Sequence, residues 1–138
     1  MGYDNSGARS LANALFDASL KPLPAQPGSR ELCVAYEALF GDLYHKLRLM
    51  IGHRGVTVVL RRAIVLSSRD HAILDVLTTT DGGIAFAALR GRRPAADPAE
   101  LQPAVLDLLT TALDDLCRLI GADLLSVILR GSAQPQRT

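Results

Sequence analysis

The feature that most constrains this chain is a spacing of 69 residues at which its pattern returns. Leu32 pairs with Leu101, Ala35 with Ala104, Leu39 with Leu108 and Leu47 with Leu116. The pairing continues without a gap through Ile51-Gly52 and Ile120-Gly121 to Val58 and Val127, Leu60 and Leu129, Arg61 and Arg130. Each copy reads as a long amphipathic helix, a glycine corner and a second, mostly apolar helix. A helical hairpin of this kind cannot bury its stripe alone, but two facing each other can. The expected fold is therefore all-α: an antiparallel helical bundle built from two related hairpins, 32–63 and 101–132, with short flanking helices. Two copies are too few for a solenoid.

The helical reading rests on period. Leu32, Tyr36, Leu39, Leu43, Leu47 and Met50 recur at steps of four and three, with Phe40, Tyr44 and Ile51 beside them. Leu101, Val105, Leu108, Ala112, Leu116 and Leu119 do the same, flanked by Leu109, Leu113 and Ile120. Ser29 is the expected N-cap of the first long helix, and Asp97-Pro98 with Glu100 is a strong start for the second. Pro103 is tolerable because it lies near the first turn. Gly41 weakens its helix, and another backbone approaching there is a reason to keep it. Asp4, Asn5 and Ser6 are candidate caps for a helix running to Leu20. Asp70 is the expected cap of a short helix from His71 to about Thr78. Residues 78–83 read as a turn, Ile84 to Leu89 as one or two helical turns, residues 90–94 as a loop, and Gly131 as a terminal cap.

These boundaries give residues 1–28 as a short helix and a proline-rich connector (Pro22, Pro24, Pro27), 29–131 as one helical domain, and 132–138 as a polar tail. A chain of 138 residues is one domain by size and can bury about 70% of its unfolded surface. With 49% hydrophobic and 4% aromatic residues, the core is aliphatic, which suits packed helices.

The net charge of +1 is too small to imply a membrane or nucleic-acid partner by itself. No secretory signal or membrane-spanning run is visible, so a cytoplasmic protein is expected. Cys33 and Cys117 fall inside helices and read as reduced thiols; a redox pair is the weaker reading.

Charge is nonetheless asymmetric. Lys46, Arg48, Arg54, Arg61, Arg62 and Arg69 surround the first corner; Asp97, Glu100, Asp107, Asp114, Asp115 and Asp123 belong to the second copy. One reading has the two surfaces facing each other within the bundle as ordinary exposed pairs. A sharper one has Arg54, Arg61 and Arg62 of one copy meeting Asp114 and Asp115 of another in a homodimer, and a third takes the basic patch as a site for an acidic partner or nucleic acid.

Ile-Gly-His53-Arg54-Gly55-Val resembles the Gly-x-x-Gly loop of KH-type RNA-binding domains, which clamps nucleic-acid backbone. The likeness covers six residues. No set of strands flanks it, and the second copy lacks both the second glycine and the basic residue. The helix corner is the preferred reading, and nucleic acid the weaker one.

No nucleophile elbow, phosphate loop, dinucleotide fingerprint or zinc motif occurs. His45, His53 and His71 lack the Glu-x-x-His spacing of bundle metal sites and read as surface residues. Asp114 and Asp115 point about 100° apart and are no catalytic dyad. The expectation is a non-catalytic interaction or regulatory module, self-associating or binding another protein, with no cofactor, metal or membrane partner. The alternative is a small-molecule sensor, for haem or another apolar ligand, with Tyr36, Phe40, Tyr44 and Met50 lining the pocket.

Overall fold

The computed structural model describes residues 6–21, 23, 27–91 and 96–133. Among them the chain is predominantly all-α: α1 (Ser6–Leu20), α2 (Ser29–Ser68), α3 (Ala87–Arg90), α4 (Pro98–Ile120) and α5 (Ala122–Ala133), with one small sheet of β1 (Thr78–Thr80) and β2 (Gly83–Ala85). The expected caps Asp4 and Asn5, most of the proline connector, the loop residues 92–94 and residues 134–138 of the polar tail lie outside the described residues.

The apolar stripes become the core. Leu32, Tyr36, Phe40, Leu43, Tyr44 and Leu47 of α2 are buried together with Leu101, Val105, Leu108, Leu109, Ala112, Leu113 and Leu116 of α4. Beyond the corner, Val56 and Leu60 are buried, as are Leu125 and Leu129 at the corresponding places in α5. The two corner glycines take nearly the same backbone conformation. Gly52 has φ 81 and ψ 163, and Gly121 has φ 91 and ψ 146. That region is open to glycine almost alone, and it explains why α2 kinks at Gly52 and α4 stops at Gly121.

The second half of α2 runs antiparallel to α4. Arg62 pairs with Asp115 at 3.2 Å, Ser67 Oγ donates to Thr111 Oγ1 at 3.4 Å, and His71 Nε2 meets Asp107 Oδ2 at 2.8 Å. Each step forward along one helix is a step back along the other. α1 lies across α4, with Ala8, Ala12 and Phe16 buried and Arg9 reaching Asp107 at 3.3 Å.

Asp97 caps α4 as expected, accepting from Ala99 N at 3.0 Å, with Pro98 at the first helical position. Other local expectations are corrected. Gly28, not Ser29, is the N-cap of α2, because Glu31 Oε1 reaches back to accept from Gly28 N at 2.8 Å. Asp70 does not cap the next element: His71 stands there without a side-chain cap bond, and the segment is a 3₁₀ helix, Ala72–Val76. Gly131 lies inside α5, which continues to Ala133.

The largest departure is at residues 78–85: strands flank a turn narrowed to Asp81-Gly82, and the expected helical turn begins only at Ala87. Thr79 pairs with Ile84 in an antiparallel hairpin closed by Asp81-Gly82. Ile84 is buried, and Gly83 lies against α2 at Phe40 and Gly41. A Cβ on Gly83 would come within 3.1 Å of Gly41 N and of Phe40 C and O, and Gly83 has φ 140. Glycine at position 83 is what allows strand backbone to seat on helix backbone there.

Candidate functional site

Of the four aromatic and sulfur residues expected to line a pocket, three are buried in the core and Met50 is half exposed. Tyr36 and Phe40 are fully buried and belong to a chain of rings. Phe16 stacks on Tyr36 at 5.4 Å between centroids; Phe86 lies 6.1 Å from both Tyr36 and Phe40. All three phenylalanines of the protein are in this chain, which joins α1, α2 and the entry to α3. Tyr44 is also buried; its hydroxyl is hydrogen-bonded to His53 Nδ1 across the kink, and His45 meets its ring edge-on. Met50 stands apart, half exposed. Among the described residues the buried Tyr36 hydroxyl has no hydrogen-bond partner, and burial, with Cys33 nearby, raises its pKa.

The charged candidates divide. Arg62 and Asp115 meet each other within one chain, and Asp114 pairs with Arg118 at 3.3 Å. Arg54 and Arg61 are exposed on the second half of α2, and no ion pair engages either among the described residues. The acids expected to receive a second copy's arginines are thus already in use. In both pairs the arginine is exposed and the acid half-buried, and surface pairs contribute about 0–1 kcal/mol each.

The remaining chemistry-bearing residues hold the fold together. His71 and Arg9 share Asp107. Cys33 and Cys117 are both free thiols. Burial pushes both up in pKa, with Arg90 pulling Cys33 partly back and Asp114 adding to the rise at Cys117. Among the described residues no three His, Cys, Asp or Glu side chains come together to hold a metal ion. No described helix is long and apolar enough to cross a membrane.

Three features were not singled out from the residues. Glu37 accepts from Arg90 Nη1 at 2.6 Å and from the buried Phe86 N at 3.2 Å, tying the end of the hairpin to α2. A groove of about 530 Å³ opens between α1 and α2, floored by Leu15, Ala18, Leu23, Val34 and Leu39. The third is an apolar surface at the corner. Leu49 is 81% exposed and Val127 is 66% exposed, and with Met50 and Ile128 they line one concavity of about 670 Å³. Its walls also carry His45 and the Asp42–Lys46 pair, closed at 2.7 Å. Leu49 carries a signal visible in the residues: it is a leucine off the stripe of its own helix.

Two pairs of the exposed apolar residues fall at the 69-residue spacing. Met50 and Leu119 are exposed partners two positions before their glycines, and Val58 and Val127 are exposed partners six positions after them. The chain matches no protein-family model, no curated protein and no solved structure in comparisons with all three.

Proposed function

We propose that this protein is a non-catalytic interaction module that self-associates through the apolar concavity beside its glycine corners. The frame is the pair of related helical hairpins, with like corners at Gly52 and Gly121. The observation that carries the reading is the clustering of Leu49, Met50 and Val127 around one concavity while the core lies fully covered elsewhere. A leucine exposed to this degree gives up about 1.5–3 kcal/mol of burial. Contiguous apolar surface on a helical protein marks a contact site.

A second copy is the occupant because the surface is close to electrically neutral. Asp42 and Lys46 satisfy each other on its wall, so a two-fold contact buries apolar groups without stranding a charge. The two free thiols suit a reducing, cytoplasmic setting.

The test is light scattering of the full chain across concentration and salt. The expected result is a dimer that persists at high salt, because apolar contact is not screened. Leu49→Asp or Val127→Asp shifts it to monomer without changing the helical circular dichroism. A strict monomer under all conditions refutes the proposal.

A second reading is favoured by the α1–α2 groove, whose volume lies within the usual range for small-ligand sites. An apolar small molecule would lie against Leu15, Val34 and Leu39. Haem is a poor fit, because the described residues lining the groove offer no histidine, cysteine or methionine as an axial ligand. Native mass spectrometry of the purified protein decides: a mass equal to the bare chain counts against this reading.

A further inference from the structure

Beyond Gly52, α2 carries a second exposed surface of different chemistry. Arg54, Val58, Arg61 and Val65 follow one another at steps of four, three and four. At 100° per residue they fall within an arc of about 60°, a straight seam along one side of the helix. All four are exposed, Val58 by 60% and Val65 by 52%. The opposite side is occupied by the buried Val56, Leu60 and Ala63, and Arg62 turns away to Asp115.

We infer that this seam docks an amphipathic helix of a partner protein, one whose apolar stripe is flanked by acidic residues. The four-three-four spacing is the period at which one helix packs on another. Valines at two positions supply apolar knobs, and guanidiniums at the other two select acidic flanks. From Arg54 to Val65 the seam is about 17 Å long, so three turns of partner helix cover it.

A second copy does not fit. Antiparallel pairing of two seams sets Val58 opposite Arg61 and Arg54 opposite Val65. Four guanidiniums then share one contact with no acid between them. Nucleic acid would use the arginines but leave both valines without purpose. One acid lies nearby: Asp75, on the 3₁₀ helix, lines the same groove as Arg61 and Val65. The partner's acids therefore belong over Arg54 and Arg61, away from the groove's far wall.

The experiment titrates the full chain into a fluorescein-labelled three-turn helical peptide with leucines on its seam and glutamates beside them, read by anisotropy. Parallel titrations use the same peptide with lysines for glutamates, and single-stranded polyuridylate. Expected are binding of the glutamate peptide that weakens with salt, and none of the lysine peptide. The double variant Arg54→Glu, Arg61→Glu weakens binding roughly tenfold or more. Val58→Asp abolishes it, with unchanged circular dichroism in both variants. The Leu49→Asp variant binds as the parent does, which separates this surface from the self-association contact. No binding of the glutamate peptide, equal binding of the lysine peptide, preference for polyuridylate, or loss of binding in Leu49→Asp would each overturn the inference.

Discussion

Three neighbouring glycines make a quantitative experiment. In Gly83→Ala the new Cβ would lie 3.1 Å from the backbone of Phe40 and Gly41, at a residue with φ 140. Backbone of a helix cannot rotate out of the way as a side chain can. The positive φ costs about 1–2 kcal/mol and the overpacking about 1–3 kcal/mol. A loss of about 3 kcal/mol follows, or roughly 10 °C in Tm for a chain of this size. Gly82→Ala, one residue away, meets nothing within 4 Å and needs no positive φ, so its effect stays within about 0.5 kcal/mol. In Gly41→Ala the Cβ would lie 3.4 Å from Gly82 O, an ordinary contact. Helix propensity there favours alanine by about 1 kcal/mol, so the change is small or stabilising. Urea unfolding followed by circular dichroism at 222 nm ranks the three. If Gly83→Ala costs no more than Gly82→Ala, the hairpin is not seated on α2 by backbone contact.

Three further outcomes are expected. Glu37→Ala strands the buried Phe86 N–H and frees Arg90, costing about 2 kcal/mol in the same unfolding assay. Glu37→Gln keeps an acceptor and costs less than half as much. Tyr36→Phe removes a buried hydroxyl that has no partner among the described residues and is neutral or stabilising by up to about 1 kcal/mol; a clear loss of stability would mean the hydroxyl is bonded after all. Cys33, Cys117 and Tyr36 hold their protons more tightly folded than unfolded, because burial raises all three above the ordinary 9.0 and 10.0. The unfolded chain therefore ionises first. Stability from these groups is whole below pH 9 and falls as pH rises through that value and beyond. An unfolding midpoint that holds steady up to pH 11 would contradict this.

How far the residues disclosed the structure depends on how long each pattern runs. Leu32 to Leu47 and Leu101 to Leu116 repeat the helical period over several turns, and the buried set follows those stripes. The predominantly all-α class was legible for that reason. Asp97-Pro98 was legible because its capping chemistry is local. Thr78–Thr80 and Gly83–Ala85 were not, since three residues complete barely one strand period. Asp81-Gly82 does carry a hairpin dipeptide, but neither residue takes the positive φ of the primed turns that make the dipeptide diagnostic. What makes these residues strands is α2 beneath them, a tertiary cause. The candidate site was less legible. Tyr36, Phe40 and Tyr44 are on the stripe, and stripe aromatics become core. Arg62 and Asp115 looked like ends of two patches until antiparallel packing brought them together. Arg54, Val58, Arg61 and Val65 were readable one by one, but only the buried opposite face shows that the four share an exposed side.

The two glycine corners also divide the chain electrically. A helix that restarts after each glycine presents the positive end of a new dipole, equivalent to about half a unit charge. At the second corner Asp123 sits in the first turn of α5 and answers that charge. Its counterpart at the first corner, 69 residues earlier, is Arg54, a cation placed where an anion is favoured. The arrangement costs about 0.3–1 kcal/mol in the isolated chain. One corner is thus answered by its own residues, whereas the other carries a cation where an anion is favoured. Replacing Arg54 by Asp would make the corners alike and the fold firmer. It would also remove the positive potential with which the first corner meets an outside anion.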